Sequence, residues 1–332
     1  MQLKVWQRLL KNEIQILKEN SLASLNKIST VASIGGGPIG GGWAAHFLAK
    51  GLKVKCYLHD KSEHQQFVDI IETAWDSLIQ LGLAEGASLK NMKISFDLAE
   101  TLSEADFVQE SVPEVLEIKQ QFYEKIDYLL DNNIVISSST SGLLISDITM
   151  NCKTAYRAVV GHPFNPPYLL PLVEVVGNSK TKPQVIEWVK EFYTYFGKVP
   201  LVLNKEIPGF IATRLQEALW REALHMVKNN EATPEQIDLA LINGPAPRMA
   251  HQGQCMAFHV ACGAGGMATN LDQFGPALEL PWTRLKAPQL DKSLRNKMVD
   301  GCNKMAKGQD FKTLADKRDK AIVAVLNALK QN

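Results

Sequence analysis

The chain has 332 residues, with 36 basic against 35 acidic side chains and a formal net charge of +1. A length of that order holds roughly two domains, each able to bury its own core, and the balanced charge offers no footprint for nucleic acid or an anionic membrane. No apolar run approaches the roughly 20 residues that span a bilayer, and the five cysteines show neither a C-x-x-C pair nor a framework spacing, which suits reduced thiols in the cytoplasm.

Residues 1–28 read as an N-terminal helical extension, largely amphipathic, with apolar positions Val5, Leu9, Leu10, Ile14 and Leu17. The segment lacks the apolar centre of a signal peptide, and Glu13 and Glu19 speak against a transit peptide. The next element carries the chemistry. Val31–Ile34 is a short apolar run that turns into Gly35-Gly36-Gly37-Pro38-Ile39-Gly40, and a helix follows over about 38–50. Gly35 permits the tight turn, Gly37 lets backbone approach a pyrophosphate, and Gly40 lets helix pack closely on strand. The helix N-terminus then offers unpaired N–H groups to phosphates. A second strand, Val54–Leu58, runs up to Asp60, placed to accept hydrogen bonds from an adenosine ribose. Strand, glycine loop, helix and acid at this distance predict an NAD site built by Gly35, Gly36, Gly37, Pro38, Ile39, Gly40 and Asp60.

Helical patterns recur over 62–83 and 113–130. Between the helices come strands at Ala105–Gln109, Ile134–Ser138, Arg157–Gly161, Leu172–Val176 and Val199–Val202. That alternation predicts an α/β fold with a doubly wound, mostly parallel Rossmann sheet. After Ile207-Pro208-Gly209 the period changes to about 3.6, through Phe210, Ile211, Leu215, Leu219, Ala223, Leu224 and Val227. Thr233-Pro234-Glu235 has the form of an N-cap with proline at the first helical position. The expected organisation is therefore an extension over 1–28, a cofactor-binding domain over 29–206, and a smaller all-helical C-terminal domain over 207–330.

Three central segments are polar where apolar residues would be expected. Ser137-Ser138-Ser139-Thr140-Ser141-Gly142 follows a strand, as does Gly161-His162-Pro163-Phe164-Asn165-Pro166-Pro167, and ligands bind at that carboxyl edge in open α/β sheets. Glu174 lies inside the apolar run Leu172–Val176, where a buried carboxylate needs a partner. His162 is the candidate, and a histidine held by a carboxylate is suited to general-base work. The remaining histidines, 46, 59, 64, 225, 251 and 259, form no metal spacing, so no metal is expected. Ser141 lacks a G-x-S-x-G elbow and suits hydrogen bonding to a substrate oxygen rather than nucleophilic attack.

IGGGPIG, SSSTSGL (137–143), GHPFNPPYLLPLVEVV (161–176) and PGFIATRL (208–215) together resemble the 3-hydroxyacyl-CoA dehydrogenase superfamily, over about Val31 to Leu326. The resemblance implies that Ser141, His162 and Glu174 act together in catalysis. It also implies that Asp60, Glu114 and Lys119 contact cofactor or order its site, and that Asn165 and position 213 belong to the substrate site. Position 213 is a departure, threonine in place of the usual asparagine, so the amide's paired donor and acceptor are missing. The C-terminal half, with Arg248–Gly253, Gly263–Met267 and Phe274–Thr283, is similar to the L-carnitine dehydrogenase branch. That likeness implies NAD-dependent oxidation of a 3-hydroxy acid bearing a quaternary ammonium, with Trp220 and Trp282 as aromatic faces for the cation, and a homodimer. The alternatives are another 3-hydroxy acid, either a 3-hydroxyacyl-CoA or L-gulonate, and a non-catalytic NAD-binding protein of the crystallin type.

Overall fold

The computed structural model describes residues 22–250, 253–262, 266–274, 276, 280, 283, 291–294, 296–297, 307–309 and 311–329. The expected amphipathic extension lies outside these residues up to position 21. From there a single 3-10 turn, Leu25–Lys27, leads into the sheet. The chain divides into two compact units between Ile211 and Ala212.

The first unit is an eight-stranded sheet: β1 Thr30–Ile34, β2 Lys53–Tyr57, β3 Met92–Ser95, β4 Phe107–Glu110, β5 Val135–Ser138, β6 Ala158–Pro163, β7 Leu172–Gly177 and β8 Val199–Val202. The order is β3-β2-β1-β4-β5-β6-β7-β8. Every neighbouring pair is parallel except β6 and β7. The mostly parallel, doubly wound sheet read from the sequence is therefore present, with two additions. The strand pattern does not mark β3, because Met92-Lys-Ile-Ser95 is short and partly exposed. Nor does it carry direction, so the antiparallel pairing of β7 is seen only in the fold.

Around the sheet lie α1 Pro38–Ala49, α2 His64–Leu81, α3 Leu98–Leu102, α4 Leu116–Leu129, α5 Ile145–Ile148 and α6 Pro183–Tyr195. α4 begins three residues after the start of the periodic stretch, because the chain bends at Glu114, where the Val115 N–H meets the Pro113 carbonyl at 2.8 Å, and Val115, in the β region, is the N-cap. α1 is buried from Gly40 to Ala49, which is why its sequence is apolar all round. Its packing layer is aromatic: Trp43 stacks on Phe47 at 5.3 Å and on Tyr193 at 5.6 Å, and Phe107 on Phe192 at 4.0 Å.

The second unit is helical in its described residues: α7 Ala212–Lys228, α8 Pro234–Asn243, α9 Ala246–Met249, α10 Gln254–Ala261, α11 Gly266–Phe274 and α12 Phe311–Leu329. α8 starts as its sequence predicts. Thr233 and Gln236 form a reciprocal capping box ahead of Pro234.

Candidate active site and cofactor site

The strand order reverses direction between β1 and β4, and the ends of three strands are level there. Ile34 pairs with Glu110, and Glu110 with Ser138. In an open α/β sheet this switch point is where a ligand binds. Gly35 (φ +112°) makes the turn out of β1, and a Cβ on it would lie 2.4 Å from the Ser111 carbonyl oxygen. A Cβ on Gly40 would lie 2.1 Å from the Gly35 oxygen, so only glycine lets α1 pack so tightly against the loop. At Gly37 an added Cβ would stand in open space. Gly37 is the N-cap of α1, no side chain caps the helix, and Pro38 occupies its first turn. The helix N-terminus is therefore left to receive an anion, and these residues fit a dinucleotide's pyrophosphate. Asp60 lies exposed just past the end of β2, its carboxyl held below the ordinary range by hydrogen bonds from Ser62.

At the end of β5 the hydroxyl run sorts itself. Ser137 bonds the Tyr193 hydroxyl at 2.7 Å, Ser138 donates to Glu110 at 2.6 Å, Ser139 receives Gln109 at 2.8 Å, and Thr140 donates to Glu114 at 2.6 Å. The Ser141 side chain is exposed and its hydroxyl has no protein partner among the described residues. Its position is nonetheless fixed, because Glu114 Oε1 also accepts the N–H groups of Ser141 at 2.8 Å and Gly142 at 3.1 Å. Burial alone would raise the Glu114 carboxyl. The Thr140 hydroxyl, the charge of Lys119 and the two N–H groups outweigh that and hold it below the usual carboxylate range.

Lys119, which resemblance placed near the cofactor, is only 1% exposed and is committed to protein partners. Its Nζ meets Glu110 at 2.7 Å and the Val112 carbonyl at 3.1 Å, and stands 3.5 Å from Glu114. The sequence signals Glu110 only weakly, as a carboxylate closing the strand Phe107–Glu110 with a lysine nine positions on. This fully buried acid ties together β4, the Val112 N–H, Ser138 and α4.

His162 and Glu174 are brought face to face by the antiparallel register of β6 and β7, in which they are direct partners. His162 Nδ1 lies 3.0 Å from Glu174 Oε2, with the histidine 6% exposed and the glutamate fully buried. Glu174 Oε1 accepts the Ile211 N–H at 2.9 Å. That N–H is delivered by a turn with two successive left-handed residues, Gly209 (φ 68°) and Phe210 (φ 49°). The Phe210 and Phe164 rings stand 5.5 and 5.3 Å from the imidazole. The P-G-F segment thus belongs to the site through backbone and packing. With Nδ1 facing the carboxylate, Nε2 is the ring nitrogen left for a reacting proton. Asn165 is exposed in the loop after β6. Thr213 and Trp220 lie on α7 in the second unit, with Trp220 46% exposed. Trp282 lies outside the described residues.

A glycine loop at the switch point, an exposed acid just past β2 and a buried histidine–carboxylate pair at the same sheet edge define a nucleotide-dependent dehydrogenase of the Rossmann class. The chain belongs to the 3-hydroxyacyl-CoA dehydrogenase family: the model of that family's NAD-binding domain matches residues 30–207, and that of its C-terminal domain matches residues 209–302. It is an NAD-dependent oxidoreductase. Among similar proteins is an L-carnitine dehydrogenase of Nocardiopsis dassonvillei, 46% identical over 315 residues, 95% of this chain and 96% of the relative. That of Pseudomonas putida is 43% identical over 308 residues, covering 93% and 96%. Among solved structures, 5-formyl-3-hydroxy-2-methylpyridine 4-carboxylic acid 5-dehydrogenase, described as an NAD+-dependent dismutase, superposes with a TM-score of 0.77 at 26% identity, covering 91% of this chain and 99% of that one.

Proposed function

We propose that the protein oxidises the 3-hydroxyl of L-carnitine to the ketone, 3-dehydrocarnitine, with His162 as general base. What supports the substrate is the likeness to relatives named L-carnitine dehydrogenase along more than nine-tenths of the chain. What supports the base is the buried His162–Glu174 pair, the observation that carries the mechanism.

NAD, when bound, supplies the two-electron acceptor for the carbon that bears the hydroxyl. Gly35, Gly36, Gly37, Pro38, Ile39, Gly40 and Asp60 would hold it. His162 Nε2 takes the hydroxyl proton, and Glu174 fixes the ring and stabilises the imidazolium that results. Ser141 donates a hydrogen bond to the oxygen as it becomes a carbonyl. Glu114 acts one step removed, holding the Ser141 loop and, with Lys119 and Glu110, the edge beside the cofactor. A trimethylammonium group cannot donate hydrogen bonds, so Trp220 and Trp282 supply aromatic faces for it, each contributing about 0.5–2 kcal/mol. Asn165 and Thr213 complete the substrate site. The second unit also serves dimerisation, in a protein placed in the cytoplasm.

The test is NADH formation with L-carnitine, D-carnitine, 3-hydroxybutyrate, 3-hydroxybutyryl-CoA and L-gulonate. L-carnitine should give the highest kcat/KM, and 3-hydroxybutyrate, which leaves the cation site empty, a poor one. Faster turnover of the CoA ester or of L-gulonate overturns the substrate. No NADH with any of them overturns the catalytic reading.

A further inference from the structure

A second acid faces the cofactor loop and has no part in the mechanism above. Glu63 stands in the short turn that follows Asp60, and its Oε2 accepts the backbone N–H of His59 at 3.1 Å. A Cβ added to Gly36 would come within 2.8 Å of that same oxygen and 3.1 Å of the Glu63 Cβ. The side chain therefore lies against the glycine loop, in room that exists because position 36 carries no side chain. Asp60 is beside it, with Oδ1 taking the Ser62 N–H at 2.8 Å.

NAD and NADP differ by one phosphate on the adenosine ribose, the group read at the end of the second strand. At that spot the chain also carries cationic or titratable neighbours: Lys61 between the two acids, His59 before them and His64 after them. One carboxylate against Lys61 leaves the local charge near zero, a weak barrier to a 2′-phosphate. Two carboxylates leave it negative.

We propose that Glu63 is a second determinant of cofactor choice, its carboxylate fixed between the His59 N–H and Gly36 so that it offsets Lys61 and repels the 2′-phosphate of NADP. The interaction is Coulombic between partly exposed charges, so its size is modest and depends on salt.

The experiment uses the full chain, with fluorescence titration of NADH and NADPH and calorimetry of 5′-AMP and adenosine 2′,5′-bisphosphate. Glu63→Gln removes the charge and keeps an oxygen for the His59 N–H. Dissociation constants for NADPH and the bisphosphate should fall about tenfold. Those for NADH and AMP should move by less than about threefold, and the difference should shrink as salt is raised. Glu63→Asp, which keeps the charge, should retain most of the discrimination. Unchanged affinity for the 2′-phosphorylated ligands in Glu63→Gln overturns the proposal. So does an equal change for both ligand pairs, which would make Glu63 a general support of the loop.

Discussion

A carboxylate inside an apolar strand is stable only when its charge is answered, and Glu174 is answered by His162 and by the Ile211 N–H. The pair is thus suited to lending negative charge to a ring that gains a proton. His162→Gln should lower kcat by about a hundredfold or more while leaving NADH affinity near that of the parent, as read by steady-state kinetics and fluorescence titration. Near-normal turnover in a folded variant would place the base elsewhere. At the cofactor edge, Asp60→Ser removes the proposed ribose acceptor and should narrow the preference for NAD over NADP, chiefly by weakening NAD. Comparable efficiency of the parent with both cofactors would refute the role of Asp60.

At the scale of elements, the loop between the strands of His162 and Glu174 is tied down by Lys198, at the entry to β8. The Lys198 ammonium is buried, donates to the Pro167 and Leu170 carbonyls, and lies 5.0 Å from the centre of the Trp43 ring. The ring favours the charged form, but burial, helped by the charge of Lys50, prevails and brings the amine down to about 7. A neutral amine still has two N–H donors for the two carbonyls. Because the folded value lies below the unfolded one, the unfolded chain holds the extra proton between about pH 7 and the ordinary lysine range. Stability should therefore rise with pH across that window and be lost as pH falls to about 7. Lys198→Met should flatten that slope in thermal melts taken from pH 7 to 9, and an unchanged slope would show that other groups produce it. His46, whose ring meets the Phe196 carbonyl at 3.0 Å, is pushed well below its ordinary value by burial first and by the charges of Lys198 and Lys50 next, so it stays neutral beside them.

At the scale of the whole molecule, the second unit exposes large apolar side chains on several helices, among them Leu215 and Leu219 on α7, Leu239 and Ile242 on α8, and Leu271 and Phe274 on α11. We propose that a second copy of the chain covers these side chains. Light scattering should give about twice the 36.8 kDa chain mass. Ile242→Glu, on a side chain 62% exposed, should shift the population toward monomer without lowering the melting temperature of the first unit's transition. A monomeric parent would remove dimerisation from the proposal. Among the described residues no helix is long and apolar enough to cross a membrane.

Much of the frame was legible from local chemistry. The glycine loop, the acid after β2, the hydroxyl run and the paired periods of strand and helix are each set within about 30 residues. Steric freedom at Gly35 and Gly40, capping at Thr233 and burial of apolar faces act over that range. The sequence names His162 as the partner a buried Glu174 needs, but not the register and direction that join them. A parallel β7 would not have set them opposite each other. The antiparallel turn makes them direct partners. The same holds for Glu110 with Lys119, for Glu114 under the Ser141 loop, for Lys198 beneath the β6–β7 loop and for Glu63 against Gly36. Each is a polar group whose partner is chosen by packing, because burial makes an unpartnered charge too costly to leave. Sequence by itself determined the cofactor edge, the class of fold and the residues able to do acid–base work. Tertiary structure decided which of them meet, since the energy of a buried charge depends on neighbours that only the folded chain supplies.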